Sequence, residues 1–395
     1  MLKGKCVVLG VTGSIAAYKI ANLASALVKL GADVNVIMTK NATNFINPIT
    51  FETLTSNKCL VDTFDRDFQF NVEHVALAKR ADIFMVAPAS ANVIGKMAHG
   101  IADDMLTTTI LAAKCKKLVS PAMNTNMFTN PIVQDNLEIL KKYGFEIIQP
   151  ASGYLACGDT GAGKMPEPEV LLQYILREIA FDHDLDGKKV MITAGPTQEA
   201  IDPVRYISNH STGKMGYAIA RAAMLRGAEV TLVSGPVAIQ PPMFVDVVNI
   251  KSAAEMAEAV KSRAGEMDII IKSAAVADYR PATVAAEKIK KKDGEASSIE
   301  LERTEDILSF LGANKNPGQF ICGFSMETEN MLENSKAKLK KKNVDMIVAN
   351  NLRTAGAGFG TDTNVVTLIT TDDARELPIM SKDDVAQAIL DEIVK

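Results

Sequence analysis

The feature that most constrains the fold of this 395-residue chain is a pattern of segments that occurs twice. In the first half, an apolar, β-branched segment at 5–11 is followed by a glycine turn, an amphipathic stretch that ends at Gly31, and an apolar segment at 33–38. The same order starts again at Lys189 and ends with an apolar segment at 229–234. Strand, glycine turn, helix and strand together form the parallel βαβ unit. The sequence therefore predicts an α/β fold with two doubly wound, Rossmann-like domains.

A short polar segment separates the two halves. A helix is predicted at about 167–180, and the charged segment 182–187 follows it before the second pattern begins. We therefore divide the chain into domains 1–185 and 186–395. In doubly wound folds the ligand binds beyond the carboxyl ends of the strands. The loops that follow the predicted strands are therefore where we look for chemistry.

Composition and charge exclude several classes of protein. The chain has 43 Lys and Arg residues against 47 Asp and Glu residues, a net charge of −4, which is not the basic footprint of a nucleic-acid-binding protein. No apolar run approaches the roughly 18 residues of a membrane helix, and the N-terminus enters a strand without the pattern of a signal peptide. The five cysteines form no C-x-x-C pair. We expect a cytoplasmic protein with no nucleic-acid or membrane partner.

Neither glycine loop matches a standard nucleotide-binding motif. The loop after the first strand is not a G-x-G-x-x-G fingerprint, which argues against an NAD site. The segment at 208–215 lacks the first glycine of a Walker A loop and has Met215 where a Ser or Thr is required. Gly13 and Ser14, at a predicted helix N-terminus, can still bind a phosphate through backbone N–H groups. Ser14 can equally be a simple helix N-cap.

Three polar side chains are candidates for chemistry, and each has a plainer alternative. His74 can act as a general base near neutral pH, or lie unreactive at an interface. Cys157 lies in a segment with four glycines, where it can reach a site from a mobile flap or be an ordinary linker cysteine. Asn124 follows a predicted strand at 117–120, where its amide can bind a carboxylate or cap the next turn. The spacing of histidines and cysteines predicts no metal centre.

Taken together, these segments resemble the bifunctional phosphopantothenoylcysteine decarboxylase/phosphopantothenate–cysteine ligases of bacterial coenzyme A synthesis. The resemblance covers essentially the whole chain. Its segments are Gly-Ser-Ile-Ala-Ala-Tyr-Lys at 13–19, His74, Pro-Ala-Ser-Ala-Asn at 88–92, Pro-Ala-Met-Asn at 121–124, Ala-Cys-Gly at 156–158, Arg-Tyr-Ile-Ser-Asn-His-Ser-Thr-Gly-Lys-Met-Gly at 205–216, Ala-Ala-Val-Ala-Asp-Tyr-Arg at 274–280 and Lys-Ile-Lys-Lys at 288–291. Each is moderately specific alone, but their joint occurrence in this order is highly specific.

For the first half, the resemblance implies a flavodoxin-like domain of the flavin-containing cysteine decarboxylase type. Such a domain binds FMN and converts 4′-phosphopantothenoyl-L-cysteine to 4′-phosphopantetheine, because oxidation of the substrate thiol creates the electron sink that lets CO₂ leave. The residues implied to line the flavin site are Gly13, Ser14, Thr39, Ser90, Asn92 and Thr107. The resemblance further implies that His74 assists oxidation, Asn124 binds the substrate carboxylate, and Cys157 donates the final proton.

For the second half, the resemblance implies ligation of 4′-phosphopantothenate to L-cysteine. CTP would activate the carboxylate as an acyl-cytidylate, with Asn209 at that intermediate and Lys288 needed for amide formation. The residues implied to surround CTP are Ala274, Asp278, Lys288, Phe324, Lys338 and Lys342. Mg²⁺ would share the neutralisation of the phosphates, and its ligands are not assigned. For the lysines at 338–342, a solvated helix face is the plainer alternative.

The resemblance also implies a homo-oligomer with trimeric decarboxylase units and dimeric ligase units. The sequence departs from the family pattern at Lys164, where we expect arginine, and at Thr304-Glu305, which replaces Asn-Pro. Neither departure removes a residue with a chemical role.

Three alternatives are weighed against this interpretation. The first is a flavin decarboxylase of peptide C-terminal cysteines, against which Asn209 and Lys288 argue. The second is a non-catalytic relative, which the loss of His74, Cys157 or Asn124 would favour. The third is an NAD-dependent oxidoreductase, which the glycine loops do not support.

Overall fold

The computed structural model describes residues 1–64, 73–154, 158, 160–290, 298–327, 331–351, 358 and 360–395. Contacts within the chain divide it into two compact units, Met1–Phe181 and Asp182–Lys395. Cys157 lies outside the described residues. Within the described ranges, no helix has both the length and the apolar character needed to cross a membrane.

Unit 1 alternates strands and helices. Its strands are β1 (Cys6–Val11), β2 (Asp33–Met38), β3 (Ile83–Ala89), β4 (Lys116–Pro121), β5 (Phe145–Ile147), β6 (Ala151–Tyr154) and β7 (Thr160–Lys164). Its helices are α1 (Ala17–Lys29), α2 (Pro48–Thr55), α3 (Glu73–Arg80), α4 (Ala91–Ala98), α5 (Met105–Ala112), α6 (Thr125–Phe128), α7 (Pro131–Lys142) and α8 (Pro168–Ile179).

The main sheet of unit 1 is parallel, with the strand order β2-β1-β3-β4-β5. This is the flavodoxin-like order, in which the topological switch point lies between β1 and β3. Every residue of β1 and of β3 is buried, as expected for central strands covered by helices on both faces. A ligand site is therefore expected at the carboxyl edge, where the loops after β1 and β3 separate.

The glycine-rich segment of unit 1 forms, in its described part, the antiparallel hairpin β6–β7. A Cβ atom at Gly163 would lie 2.3 Å from the Met123 carbonyl oxygen, and one at Gly161 would lie 2.5 Å from Thr125 Oγ1. The Met123 N–H donates to the Gly163 carbonyl over 3.1 Å. These two glycines belong to the segment for which the sequence suggested a mobile flap, and the close approach of the hairpin to residues 123–125 explains why both are glycine.

Unit 2 repeats the alternation with a longer chain. Its strands are β8 (Lys189–Ala194), β9 (Gln198–Ala200), β10 (Tyr206–Ser208), β11 (Glu229–Ser234), β12 (Asp246–Asn249), β13 (Ile269–Lys272), β14 (Tyr279–Pro281), β15 (Leu301–Arg303), β16 (Phe320–Glu327), β17 (Met346–Asn351), β18 (Thr363–Asn364), β19 (Val366–Thr370), β20 (Ala374–Glu376) and β21 (Met380–Ser381). Its helices are α9 (Lys214–Leu225), α10 (Ala253–Ala264), α11 (Ile307–Ala313), α12 (Met331–Lys342) and α13 (Lys382–Ile393).

The main sheet of unit 2 has the order β12-β11-β8-β13-β16-β17-β19-β20. Its first six strands are parallel and follow the dinucleotide-binding order 3-2-1-4-5-6, and β19 and β20 add an antiparallel edge. The switch point lies between β8 and β13. One face of this sheet packs on α10, α11 and α12 through a cluster that includes Met191, Ile270, Ile321, Leu311 and Leu339.

The predicted fold class is confirmed in both units. The strands expected at 33–38 and 229–234 lie at those residues, and the helix expected at about 167–180 is α8. Gly31 and Gly227 follow the ends of α1 and α9 with φ of 90° and 89°, a backbone conformation that favours glycine.

Candidate active sites

In unit 1, Thr12 joins the two loops at the switch point. Its buried hydroxyl donates to the Pro88 carbonyl over 2.6 Å and accepts from the Ser90 N–H over 2.9 Å. Ser90 caps α4 by accepting from the Val93 N–H, and Asn92 lies exposed in the first turn of that helix. The structure thus places Ser90 and Asn92 at the same carboxyl edge as the loop that follows β1.

The N-terminus of α1 is open to an anion. Its N-cap is Ala16, no described side chain caps it, and its first turn contains no acidic residue. Ser14 is not the N-cap, and its hydroxyl accepts only a long, 3.4 Å bond from the Ala16 N–H. Gly13 lies so close to Asn41 that a Cβ atom would meet the Asn41 Cβ at 2.7 Å. The Ala17 and Lys19 N–H groups donate to the Ser14 and Ala16 carbonyls. The helix dipole and the absence of a capping side chain make such an end suited to a phosphate.

Thr39 and Thr107 differ in whether the side-chain hydroxyl has a hydrogen-bond partner within the described residues. Thr39 directly follows β2, and its buried Oγ1 has no hydrogen-bond partner among the described residues. Thr107 is satisfied, because its N–H and its hydroxyl both donate over 2.8 Å to Asp104 Oδ1 in a capping box on α5. A buried hydroxyl without a partner destabilises a protein unless a ligand completes it. Thr39 and the open end of α1 therefore fit a phosphate-bearing flavin.

The other residues predicted to do chemistry in unit 1 lie on separate elements. Asn124 is the N-cap of α6, where its Oδ1 accepts from the Asn126 N–H over 2.8 Å. His74 is half-buried in the first turn of α3, and α3 leads into the amino end of β3. Because a crossover helix runs antiparallel to its strands, the first turn of α3 lies towards the carboxyl edge of the sheet.

In unit 2, residues predicted for the nucleotide site line one cavity of about 670 Å³ at the switch point. These lining residues are Asn209, Ala274, Asp278, Phe324, Lys338 and Lys342. Lys288 is not among the described residues that line it. Charged and polar lining residues to which the sequence assigned no role include Lys214, Lys272, Arg303, Asp306, Asn350 and Lys382.

The cavity contains the N-terminus of α9, which resembles that of α1. Its N-cap is Gly213, with φ of 77°, no described side chain caps it, and its first turn has no acidic residue. A Cβ atom at Gly216 would lie 2.5 Å from the Ala194 Cβ, so glycine lets α9 approach the end of β8 closely. The hydroxyl of Ser211 accepts from the Gly213 N–H over 3.4 Å. This helix end is a second candidate phosphate site.

The loop after β13 is held by contacts that sequence reasoning missed. Thr304 Oγ1 donates to the Ala277 carbonyl over 2.6 Å, and the Thr304 N–H donates to the Asp278 carbonyl over 3.0 Å. Asn209 Nδ2 donates to the Ala275 carbonyl over 2.9 Å. Thr304, one of the departures from the family pattern, therefore helps to fix the loop that carries Asp278.

The lysines of α12 divide between the cavity and solvent. Lys338 and Lys342, one helical turn apart, are half-buried and line the cavity, whereas Lys340 is exposed. Lys338 Nζ donates to Ser325 Oγ over 3.4 Å, and Lys342 forms an ion pair with Asp306. Burial is the largest single influence on the pKa of Asp306 and raises it, but the hydrogen bonds from Lys342 and Ser309 and the charge of Lys342 together outweigh burial, so the pKa is lowered. The alternative of a solvated face applies to Lys340.

The segment that carries Lys288 is fixed by a buried carboxylate. Asp202 accepts from the Val204 and Arg205 N–H groups over 2.8 Å and from the Ile289 N–H over 3.1 Å. Arg205 binds Asp202 through its guanidinium and donates to the Ile289 carbonyl over 2.9 Å. The Arg205 hydrogen bond holds the pKa of Asp202 far below its ordinary value. Both polar backbone groups of Ile289 are thus anchored beside Lys288.

Comparison with known proteins covers both units. Residues 1–180 match the family model described as Flavoprotein, and residues 185–395 match the model of the DNA/pantothenate metabolism flavoprotein C-terminal domain. The coenzyme A biosynthesis bifunctional protein CoaBC of Bacillus subtilis is 49% identical over 397 residues, covering 100% of this chain and 97% of that protein. The Escherichia coli protein of the same name is 43% identical over 395 residues, covering 100% and 97%. The crystal structure of a CoaBC C-terminal domain is 46% identical, covers 54% of this chain and 97% of that chain, and gives a TM-score of 0.46.

Proposed function

The chain belongs to the family of coenzyme A biosynthesis bifunctional proteins, and from this membership we propose that it catalyses two consecutive steps of that synthesis. The first is the CTP-dependent ligation of 4′-phosphopantothenate to L-cysteine, in domain 186–395. The second is the FMN-dependent decarboxylation of the product to 4′-phosphopantetheine, in domain 1–185. The observation that carries the proposal is the match of the full chain, through both family models, to bifunctional relatives.

The ligase chemistry requires a site for a polyphosphate. A carboxylate does not react with an amine at neutral pH until it has a leaving group, and CTP supplies one as pyrophosphate. In the proposal, the open N-terminus of α9 and the ammonium groups of Lys338 and Lys342 neutralise the charge that develops on the phosphates. Asn209, held against the Ala275 carbonyl, lies beside the reacting acyl group, and Lys288 assists attack by the amine.

The proposed role of Mg²⁺ depends on CTP and not on a separate metal site of the protein. Within the described ranges, no three His, Cys, Asp or Glu side chains are grouped so as to hold a metal ion. We propose that Mg²⁺ binds as the complex with the CTP phosphates, which is the usual arrangement when substrate phosphates supply most ligands. The protein then contributes lysine charge and helix N–H groups rather than a carboxylate cage.

The decarboxylase chemistry requires an electron sink, and bound FMN would create it by accepting a hydride from the thiol-bearing carbon of the substrate and would return that hydride after CO₂ has left. Gly13 and Ser14 at the N-terminus of α1 would hold the flavin phosphate, and Thr39 Oγ1 would gain the hydrogen bond that it lacks. Asn124 would bind the substrate carboxylate, and His74 would take the thiol proton. Cys157 is proposed as the proton donor of the last step.

The first test is mass spectrometry of the products formed from 4′-phosphopantothenate, L-cysteine, CTP and Mg²⁺. We expect 4′-phosphopantetheine, which requires both activities in one chain. Unchanged CTP and substrate would contradict the ligase assignment, and accumulation of 4′-phosphopantothenoyl-L-cysteine in FMN-loaded protein would contradict the decarboxylase assignment. Light scattering of the same protein tests the proposed trimeric decarboxylase and dimeric ligase units, which a monomer would contradict.

A further inference from the structure

Lys272 is a lysine of the unit 2 cavity to which the family resemblance assigns no role. It is the last residue of β13, beside the switch point, with Thr193 and Gly323 as its partners on the neighbouring strands. Ile270 lies two residues earlier and belongs to the cluster packed under α10, α11 and α12. Because residues two apart in a strand share a face, the Lys272 side chain is directed towards those helices. Lys272 is half-buried and lines the cavity.

The charges that face Lys272 come from three elements. Asp306 caps α11, Asp278 follows β13, and Lys338 and Lys342 lie on α12. Burial is the main cause that lowers the pKa of Lys272, the two lysines act in the same direction, and the two carboxylates oppose them. Lys342 already forms an ion pair with Asp306, whereas no ion pair to Lys272 occurs within the described residues. An anion in the cavity would therefore stabilise the ammonium group of Lys272.

Two other lysines of the cavity are bound to protein groups. Lys214 Nζ donates to Asp362 over 2.7 Å and to the Gly360 carbonyl over 2.9 Å. Lys382 Nζ donates to the Thr361 carbonyl over 2.6 Å. These contacts fix both ammonium groups at the ends of α9 and α13. Lys338 and Lys342 also contact protein groups, Ser325 and Asp306, but they approach the cavity from α12, while Lys272 approaches it from β13.

We propose that Lys272 is a phosphate-binding residue that completes, with Lys338 and Lys342, a three-lysine site for the triphosphate of the nucleotide. The inference rests on the proposed ligase function. Three ammonium groups held together repel one another, and the polyanionic chain of CTP relieves that repulsion. Binding of the nucleotide should also draw a proton onto Lys272, because an anion favours the charged form of an amine that burial has disfavoured.

The test uses full-length protein, with CTP and MgCl₂ but no other substrate, in isothermal titration calorimetry at a series of pH values below the ordinary lysine pKa of about 10.4. Heats in two buffers of different ionisation enthalpy give the protons taken up. We expect Lys272→Met to bind CTP at least about tenfold more weakly and to lose the proton uptake. Lys272→Arg should recover much of the affinity without proton uptake, because arginine does not titrate in this range. Equal affinity and proton uptake in the wild type and Lys272→Met would overturn the inference.

A matched control removes a charge from the exposed face of α12. Lys340→Met should bind CTP like the wild type, and a tenfold loss there would show that net charge alone explains the effect and would contradict a specific site.

Decarboxylation of supplied 4′-phosphopantothenoyl-L-cysteine should be unchanged in Lys272→Met. Wild-type protein that neither binds nor consumes CTP would overturn the ligase proposal together with this inference. An active wild type with an unchanged KM for CTP in Lys272→Met would overturn this inference alone.

Discussion

The two units place a serine in the same position before an open helix end. Ser14 lies two residues before Ala16, the N-cap of α1, and Ser211 lies two residues before Gly213, the N-cap of α9. In each unit the serine hydroxyl accepts from the N–H of the N-cap residue over 3.4 Å. The same local arrangement therefore forms a candidate phosphate site at the switch point of two differently ordered sheets.

The units differ in what separates the first strand from that helix. In unit 1 the chain runs directly from Val11 to Ala17, whereas in unit 2 it runs from Ala194 to Lys214 through the hairpin β9–β10. The longer connection carries Asp202, which anchors the Lys288 segment. We infer from this difference that the short loop of unit 1 is sufficient for the proposed cofactor site, while the inserted hairpin of unit 2 adds residues that fix the segment carrying Lys288.

The largest difference between the two activities is expected when Lys288 is replaced. Lys288→Gln should lower the rate of ligation by about 100-fold or more, because it removes a positive charge needed at the reacting centre. Decarboxylation of supplied 4′-phosphopantothenoyl-L-cysteine should be unchanged. Both rates can be followed by mass spectrometry of one protein preparation. Lys290→Gln, a change of the same kind in the same exposed segment, is the control and should retain ligation; equal loss of both activities in Lys288→Gln would count against two separate sites.

A smaller effect is expected where the inserted hairpin anchors that segment. Asp202→Asn should slow ligation about tenfold, because a neutral amide can neither accept as strongly from the Ile289 N–H nor pair with Arg205. Asp186→Asn, in the exposed segment before β8, is the control. Ligation by Asp202→Asn at the wild-type rate would show that the anchor has no role in positioning Lys288.

The pH dependence of stability tests whether Asp202 is held in its ionised form in the folded protein. The pKa of Asp202 is lowered in the folded state, so its contribution to stability is present above the ordinary aspartate pKa of about 3.9 and is lost as the pH falls below it. Thermal unfolding should therefore show a constant difference between the wild type and Asp202→Asn from about pH 6 to about pH 8. That difference should shrink in acid; growth of the difference in acid would contradict the assignment.

The smallest effects are expected for substitutions of Thr39 and Thr107 in unit 1. Thr39→Val should leave the stability of the FMN-free protein unchanged or slightly raised, because it removes a buried hydroxyl without a partner. It should weaken FMN binding several-fold, by about 1 kcal/mol. Thr107→Val should instead destabilise the FMN-free protein by about 1 kcal/mol, because it disrupts a helix cap. Thermal unfolding and flavin fluorescence measure both, and equal effects of the two changes would show that Thr39 is only structural.

The features that the sequence predicted are those set by residues close together in the chain. The strands at 33–38 and 229–234, the helix-ending glycines, and the loops that follow β1 and β13 were all readable, because periodicity and turn residues are local signals. The carboxyl ends of parallel strands meet at one edge, so sequence order is enough to place these loops near one another. The individual residues of the unit 2 cavity were instead implied by the family resemblance.

What the sequence did not predict depends on partners far apart in the chain. Asp202 and Ile289 are 87 positions apart, and Thr304 holds a carbonyl 27 positions away. Lys272 ends an otherwise apolar strand, and nothing local shows which helices face it. The glycines of β6–β7 suggested a mobile flap because composition indicates flexibility and does not show the close approach of Met123. These contacts are consequences of packing, which no short window of sequence contains.

The open ends of α1 and α9 are proposed to bind two different ligands, the phosphate of FMN and the phosphates of CTP. A matched pair of substitutions tests this proposal most directly. Ser14→Asp and Ser211→Asp each place a carboxylate at one helix N-terminus, where it competes with the phosphate by charge. FMN content and CTP-dependent pyrophosphate release are measured on both variants. We predict that Ser14→Asp loses FMN but still releases pyrophosphate, and that Ser211→Asp keeps FMN but releases none. Retention of FMN by Ser14→Asp, or loss of both properties in either variant, would contradict the account.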